Sequence, residues 1–154
     1  MKIPTIFTPQ ATEEAMERLN KLTFDKKPLW GKMNASQMLA HVNVAYELTY
    51  GERKTSLGPV FKFFARNLFK NMVVGEKQVH YPKNSRTAPD FKISGERDFE
   101  TEKARFIGYL KTTQENGEAY FEGKENQSFG KMTAREWNNL FYKHMDHHFR
   151  QFGI

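Results

Sequence analysis

The closing segment of the chain, residues 133–153, reads TAREWNNLFYKHMDHHFRQFG and predicts one long helix. Thr133 and Glu136 have the spacing of a capping box, in which each side chain satisfies a backbone N–H group at the start of a helix. Residues at helical spacing then form a single stripe: Trp137, Leu140, Phe141, His144, His148 and Phe152. Gly153 ends the pattern, as glycine commonly does after a helix. The two histidines of this otherwise apolar stripe are candidate functional residues.

A second segment repeats this design near the start of the chain. Residues 31–35, GKMNA, resemble residues 130–134, GKMTA. Convergent capping chemistry is the favoured explanation of the similarity, because Asn34 and Gln37 also have capping-box spacing. The helix that follows is predicted from about Asn34 to Tyr50, where Gly51 would end it.

The rest of the chain favours helices over strands. Apolar residues at helical spacing predict three more helices, over about Gln10–Leu22, Leu57–Val74 and Asp98–Asn116. Two prolines and a polar composition predict an extended loop over 76–95, and residues 117–129 are polar and contain glycine. No segment alternates with a period of two for long enough to predict a strand. The predicted fold class is therefore all-α, a helical bundle with an additional helix and a long crossover loop.

Composition limits the classes of protein. A chain of 154 residues with 14 Phe, 6 Tyr and 2 Trp is expected to form one domain, 1–154, around one aromatic core. The absence of cysteine excludes disulfides, zinc–thiolate sites and cysteine nucleophiles. The N-terminal residues lack the apolar core of a signal peptide, and no stretch of about 18 apolar residues could span a membrane. A cytoplasmic protein is the simplest expectation.

Positive charge is concentrated in one segment. Residues 51–86 contain two acidic residues, Glu52 and Glu76, and eight basic ones: Arg53, Lys54, Lys62, Arg66, Lys70, Lys77, Lys83 and Arg86. The excess, 8 − 2 = 6, equals the net charge of +6 of the whole chain. Together with Phe61, Phe63 and Phe64, this basic face could contact an anionic membrane or nucleic acid. The favoured interpretation is a solvated helix face whose phenylalanines lie in the core, so a nucleic-acid partner is not expected.

Three histidines share one helical phase. His41 lies 41 − 34 = 7 positions after its predicted cap, and His144 and His148 lie 11 and 15 positions after theirs, so the offsets differ by 4. Residues four positions apart lie on the same face of a helix, so each of the three histidines has the same orientation relative to its own cap. A histidine pair at i, i+4, such as His144 and His148, can bind one ion. Hydrogen-bonded core histidines are the alternative, particularly for His41. His147 is predicted on the flank of its helix and His80 in a solvated loop.

A shared divalent metal would satisfy three neighbouring neutral imidazoles. Nitrogen ligands favour Zn or Ni, and three of them leave coordination positions for water or substrate. The segment lacks the glutamate of an HExxH motif, so a metalloprotease is not expected. Tyr46 and Glu47 are close to His41 in sequence but are predicted to point elsewhere on the helix.

Two segments resemble the DinB-like superfamily: residues 29–41, LWGKMNASQMLAH, and residues 142–153, YKHMDHHFRQFG. The similarity extends over nearly the whole chain and is strongest to an uncharacterised subfamily, a domain of unknown function. The resemblance implies a four-helix bundle of up-down-down-up order, often dimeric. It also implies a divalent metal held by His41, His144 and His148. The subfamily often has a His-Pro pair shortly before the Phe-Gly that corresponds to Phe129-Gly130, and here that segment reads ENQS (125–128).

Two functions remain open at the level of sequence. Related members include thiol-dependent transferases that use bacillithiol and a mycothiol-dependent isomerase, so the resemblance implies a metal-dependent enzyme of thiol transfer or hydrolysis. Its partner would be a small-molecule substrate or a low-molecular-weight thiol, and the chain would form a homodimer. The alternative is a non-catalytic, metal-stabilised binding or stress-related protein, since a bound ion stabilises a fold without turnover.

Overall fold

The structure is a computed structural model that describes residues 3–77 and 80–154, so Met1, Lys2 and two residues of the loop predicted over 76–95 lie outside it. Its helices are α1 (Pro9–Leu19), α2 (Ala35–Tyr50), α3 (Pro59–Phe64), α4 (Lys70–Val74), α5 (Phe99–Phe121) and α6 (Ala134–Gln151). A π-helical turn, Ala65–Phe69, joins α3 to α4, and a 3₁₀ turn, Pro89–Phe91, precedes α5. The prediction of an all-α fold is confirmed.

Both predicted capping boxes are present. The Gln37 backbone N–H donates to Asn34 Oδ1 at 2.8 Å, and the Asn34 N–H donates to Gln37 Oε1 at 3.1 Å. The equivalent bonds join Thr133 and Glu136, at 3.2 Å and 3.0 Å. These bonds satisfy N–H groups that a helix start leaves without partners. The predicted beginnings of α2 and α6 are therefore confirmed.

The ends of the helices agree less well with prediction than the beginnings of α2 and α6 do. α1 ends at Leu19 rather than Leu22, although Leu22 remains buried. The backbone of Gly117 is not helical, with φ 67° and ψ 178°, so α5 is broken where the sequence predicted its end. One more helical turn follows the break. That turn forms because Phe121 is fully buried and stacks on Phe7, with ring centroids 5.2 Å apart.

A short hairpin was not predicted. Strands β1 (Glu125–Asn126) and β2 (Gly130–Lys131) are antiparallel, with Glu125 opposite Lys131 and Asn126 opposite Gly130. Two residues per strand are too few to show an alternating pattern. Gln127, in the intervening turn, donates to the carbonyls of Leu48 at 2.7 Å and Arg53 at 2.8 Å. The segment that departs from the subfamily pattern therefore ties the hairpin to the end of α2.

The core lies between α2, α5 and α6, and α1 contacts α5. Its largest fully buried side chains are aromatic and include Trp137, Tyr46, Phe106 and Phe141. Tyr46 stacks on Phe141, with ring centroids 4.5 Å apart and planes inclined by 8°. The rigid packing of α2 against α6 brings their histidine stripes together. The up-down-down-up order of the bundle remains a prediction.

The third predicted helix, Leu57–Val74, is confirmed in its extent, because residues 59–74 are helical, but a π turn interrupts it and its apolar residues face outward. The Lys70 N–H bonds to the Ala65 carbonyl, the i→i−5 bond of a π turn. The phenylalanines predicted to lie in the core are exposed, with Phe61 68% and Phe64 48% accessible. The far end of the segment is packed: Val74 is buried, and α4 contacts α6. The prediction that the phenylalanines of this segment lie in the core is therefore wrong.

Within the described residues, no helix is long and apolar enough to cross a lipid bilayer.

Candidate metal centre

His41, His144 and His148 meet between α2 and α6. Their ring centroids are 4.5 Å to 5.0 Å apart, and each offers a nitrogen that lies within 4.8 Å of those of the other two. His41 and His148 are buried, at 6% exposure each, and His144 is partly buried. The convergence follows from the shared helical phase of the three residues and from the packing of α2 on α6.

A backbone carbonyl orients His41. Its Nδ1 lies 2.8 Å from the Phe91 carbonyl oxygen, so Nδ1 carries the proton and donates. The Nε2 atom of His41 is then a lone-pair nitrogen that faces the cluster. The Phe91 ring contacts both His41 and His144, with centroid distances of 5.5 Å and 5.6 Å. The 3₁₀ turn Pro89–Phe91 therefore fixes the tautomer of one imidazole and covers two.

A side-chain amide orients His148. Its Nδ1 lies 2.8 Å from Gln151 Oε1, which leaves Nε2 of His148 for the cluster. The Gln151 Nε2 atom donates in turn to the Trp30 carbonyl at 2.8 Å, and the Leu29 N–H donates to the Gln151 carbonyl at 2.7 Å. A Cβ atom at Gly31 would lie 2.6 Å from Gln151 Nε2. The segment 29–31 can approach α6 this closely only because residue 31 is glycine.

The two nearest nitrogens test whether the cluster fits a metal. His144 Nε2 lies 3.0 Å from His41 Nε2. Two nitrogens bound to one tetrahedral Zn would lie roughly 3.3 Å apart, since each bond is about 2.0–2.1 Å. The His41 Nε2 lone pair needs either a proton from His144 or a cation, and the outer nitrogens of His41 and His148 are already held as in metal sites. The residues present therefore fit a metal ion.

Burial keeps the cluster neutral. Desolvation lowers the pKa of His144 and His148 well below the ordinary histidine value, and the positive charge that each neighbouring imidazole would carry lowers it further. Burial also lowers the pKa of His41, against the opposing effect of the Phe91 carbonyl. Neutral imidazole is the form that binds metals. The protein therefore presents its three histidines in ligating form at neutral pH.

The remaining histidines lie outside the cluster. His147 is half-buried on the flank of α6, with its ring 5.8 Å from that of Trp30 and 5.7 Å from that of Tyr81. His80 is exposed, as predicted, but its Nδ1 lies 3.3 Å from Asp146 Oδ2. Among residues 3–77 and 80–154, the three clustered histidines form the only group of three or more His, Asp and Glu side chains close enough to share an ion.

The residues next to His41 serve other purposes, as the sequence predicted. Glu47 forms ion pairs with Arg53 at 2.7 Å and with Arg105 at 2.6 Å. Tyr46 is in the aromatic core, where burial raises its phenol pKa far above the ordinary value. Neither side chain adds an acid or base to the cluster.

Sequence reasoning missed the two groups that orient the imidazoles. Gln151 is three residues after His148 on the same helix, a spacing at which side chains meet, so the sequence contained that signal. The Phe91 carbonyl had no signal, because any residue can supply a backbone oxygen and the contact spans 50 positions of the chain.

Comparison with known proteins agrees with the geometry. A family model described as the DinB superfamily matches residues 5–152. No similar protein was found among curated sequences, and none was found among solved structures. The match covers nearly the whole chain and includes all three clustered histidines. The chain therefore belongs to the DinB superfamily.

Proposed function

We propose that the chain binds one divalent metal ion through His41, His144 and His148 and acts as a metal-dependent enzyme. One observation carries the proposal: three buried, neutral imidazoles converge, and partners on their outer nitrogens turn the lone pairs of two of them inward. Nitrogen donors favour Zn or Ni. Three protein ligands are also the number found in catalytic zinc sites, which keep a position open.

The proposed reaction class is thiol transfer or hydrolysis on a small molecule, with a low-molecular-weight thiol as the candidate co-substrate. When bound, the ion would lower the pKa of a water or thiol, or polarise an electrophile. The protein's own contribution is orientation. The Phe91 carbonyl and the Gln151 amide hold His41 and His148 in one tautomer, and the Phe91 ring shields His41 and His144 from water.

A non-catalytic metal-stabilised or stress-related binding protein is the second candidate. The observation that favours it is the composition of the cluster, because no carboxylate lies near enough to be grouped with the histidines in the part of the chain that the structure describes. An ion held only for stability needs no acid or base beside it. Such an ion would act by mass action on folding.

The metal half of the proposal is tested by elemental analysis of tag-free protein and of two neighbouring histidine variants. Wild type should carry about one equivalent of a divalent ion, as a site with three nitrogen ligands allows. His148→Ala should lose most of it. His147→Ala, the matched control on the same helix, should retain it. If wild type contains no metal and takes none up when divalent ions are added, the proposal is wrong.

The catalytic half is tested by a screen of thiol cofactors with electrophilic and hydrolysable substrates. Wild type and His147→Ala should be active, and metal-free His148→Ala should not. Activity that survives in metal-free His148→Ala cannot depend on the ion. A wild-type protein that binds metal with high affinity and is inactive throughout supports the second candidate.

A further inference from the structure

Large apolar side chains face solvent on α3 and the π turn. Within ten consecutive positions the exposed residues include Val60, Phe61, Phe63, Phe64, Leu68 and Phe69, which we call the phenylalanine face. Their accessible fractions run from 48% for Phe64 to 68% for Phe61. Isolated exposed apolar residues are ordinary, but a cluster of this size marks an interaction surface.

The polar side of the same segment holds it to the protein. Lys70 forms an ion pair with Glu136 at 2.8 Å, and the Arg66 guanidinium lies where a Cβ atom at Gly130 would be. The segment is therefore inverted relative to an ordinary surface helix, with Arg66 and Lys70 toward the body and the phenylalanines outward. These phenylalanines can be buried only against the surface of another molecule.

Charge indicates what that surface is. Residues 53–75 contain no acidic residue. Within the described part of the chain, Lys54, Lys62 and Arg66 form no ion pair. A segment with outward phenylalanines and unpaired cations beside them has the composition of helices that lie in the interface of an anionic bilayer. Lipid phosphates would meet the cations, and the acyl boundary would receive the aromatic rings.

A second copy of the chain fits less well. A two-fold interface places the same patch on both sides, so Lys62 of one copy, which lies between Phe61 and Phe63 in the sequence, would approach Lys62 of the other. Like charges brought together in this way oppose association. Nucleic acid would satisfy the cations but would give most of the apolar side chains no partner. We therefore propose that the phenylalanine face docks on the surface of an anionic lipid bilayer, without crossing it.

Vesicle co-sedimentation tests this proposal, with phosphatidylcholine vesicles compared with phosphatidylcholine–phosphatidylglycerol vesicles. Wild type should bind the anionic vesicles at low salt, bind the neutral ones weakly, and dissociate at high salt. Phe61→Ser/Phe63→Ser should reduce binding at least about tenfold, since each exposed ring loses its apolar environment. Lys62→Gln should reduce binding to anionic vesicles about fivefold, the contribution of one basic residue at such a surface.

Phe24→Ser is the matched control, because Phe24 is 72% exposed in a different segment, between α1 and α2. It should bind like wild type. Circular dichroism should show all variants folded, since the substituted rings are mostly solvated. Equal binding of neutral and anionic vesicles, or no binding, would overturn the proposal. So would a dimer or a nucleic-acid complex that Phe61→Ser/Phe63→Ser abolishes while vesicles remain unbound.

Discussion

The orientation of His148 depends on one amide. Gln151 accepts from His148 Nδ1 and donates to the Trp30 carbonyl, so it connects a proposed ligand to the segment before α2. Removal of a group that orients a ligand typically costs 10- to 100-fold in metal affinity. Gln151→Ala should therefore weaken metal binding by roughly that factor, measured by competition with a chromogenic chelator. Gln10→Ala, on the exposed side of α1, is the control and should leave affinity unchanged.

Protons should compete with the metal only in acid. The three imidazoles have pKa values below the ordinary 6.5, because burial disfavours their charged forms. Above that pH they are already neutral, and proton release does not oppose binding. Metal affinity should therefore be nearly constant from about pH 8 to about 6.5 and fall only in more acid solution, where the pH drops through the lowered pKa values and protonation removes lone pairs. Equilibrium dialysis is the measurement, and an affinity that already falls between about pH 8 and about 6.5 would contradict neutral, buried imidazoles.

The sequence predicted the three imidazoles of the cluster but not the two groups that orient them. His41, His144 and His148 could be grouped because two capping boxes set the phase of two helices. Phe91 could not be added, because its carbonyl reaches His41 from a loop whose path depends on the whole fold.

A buried lysine on α6 holds α4 in place. Lys143 is 1% exposed, and its Nζ donates to the carbonyls of Met72 at 2.7 Å and Gly75 at 3.0 Å. These carbonyls end α4, where a helix leaves acceptors without partners and favours a positive charge. Burial lowers the pKa of Lys143 to about 8, so the side chain is mostly charged at neutral pH.

Lys143→Met should release α4. The two carbonyls would lose their donor, at a cost of about 1–3 kcal/mol for each buried group left unsatisfied. Amide hydrogen exchange should accelerate in residues 70–77 while protection in α2 persists. Equal protection of α4 in wild type and Lys143→Met would show that the lysine does not hold it.

The apolar face of α3 was predicted to meet the core, but it faces solvent. Helical spacing indicates which residues share a face, but it does not state which face meets the core. Phe61, Phe63 and Phe64 were therefore assigned to the interior by default. In the structure Asn67 lies within the π turn Ala65–Phe69, and its side chain donates to the Phe63 carbonyl at 2.7 Å, in competition with the backbone. α2 and α6 were predicted well because their stripes are closed by capping boxes and filled with core residues.

A bound metal ion is expected to increase the free energy of unfolding of the whole protein. A ligand that binds only the folded state at 100 times its dissociation constant stabilises it by about 2.7 kcal/mol. A chain of this size should then melt roughly 5–10 °C higher. Differential scanning calorimetry of metal-free protein, with and without Zn, measures the shift. His148→Ala should show little of it and His147→Ala all of it, whereas equal shifts in both would place the ion elsewhere.

X-ray absorption at the metal edge would show directly whether three imidazoles bind one ion. Tag-free protein loaded with one equivalent of Zn should show nitrogen donors at about 2.0–2.1 Å and the multiple-scattering pattern of coordinated imidazole. The fit should require three imidazoles in wild type and two in His148→Ala. A spectrum fitted by oxygen ligands alone, or one that His148→Ala leaves unchanged, would contradict the account.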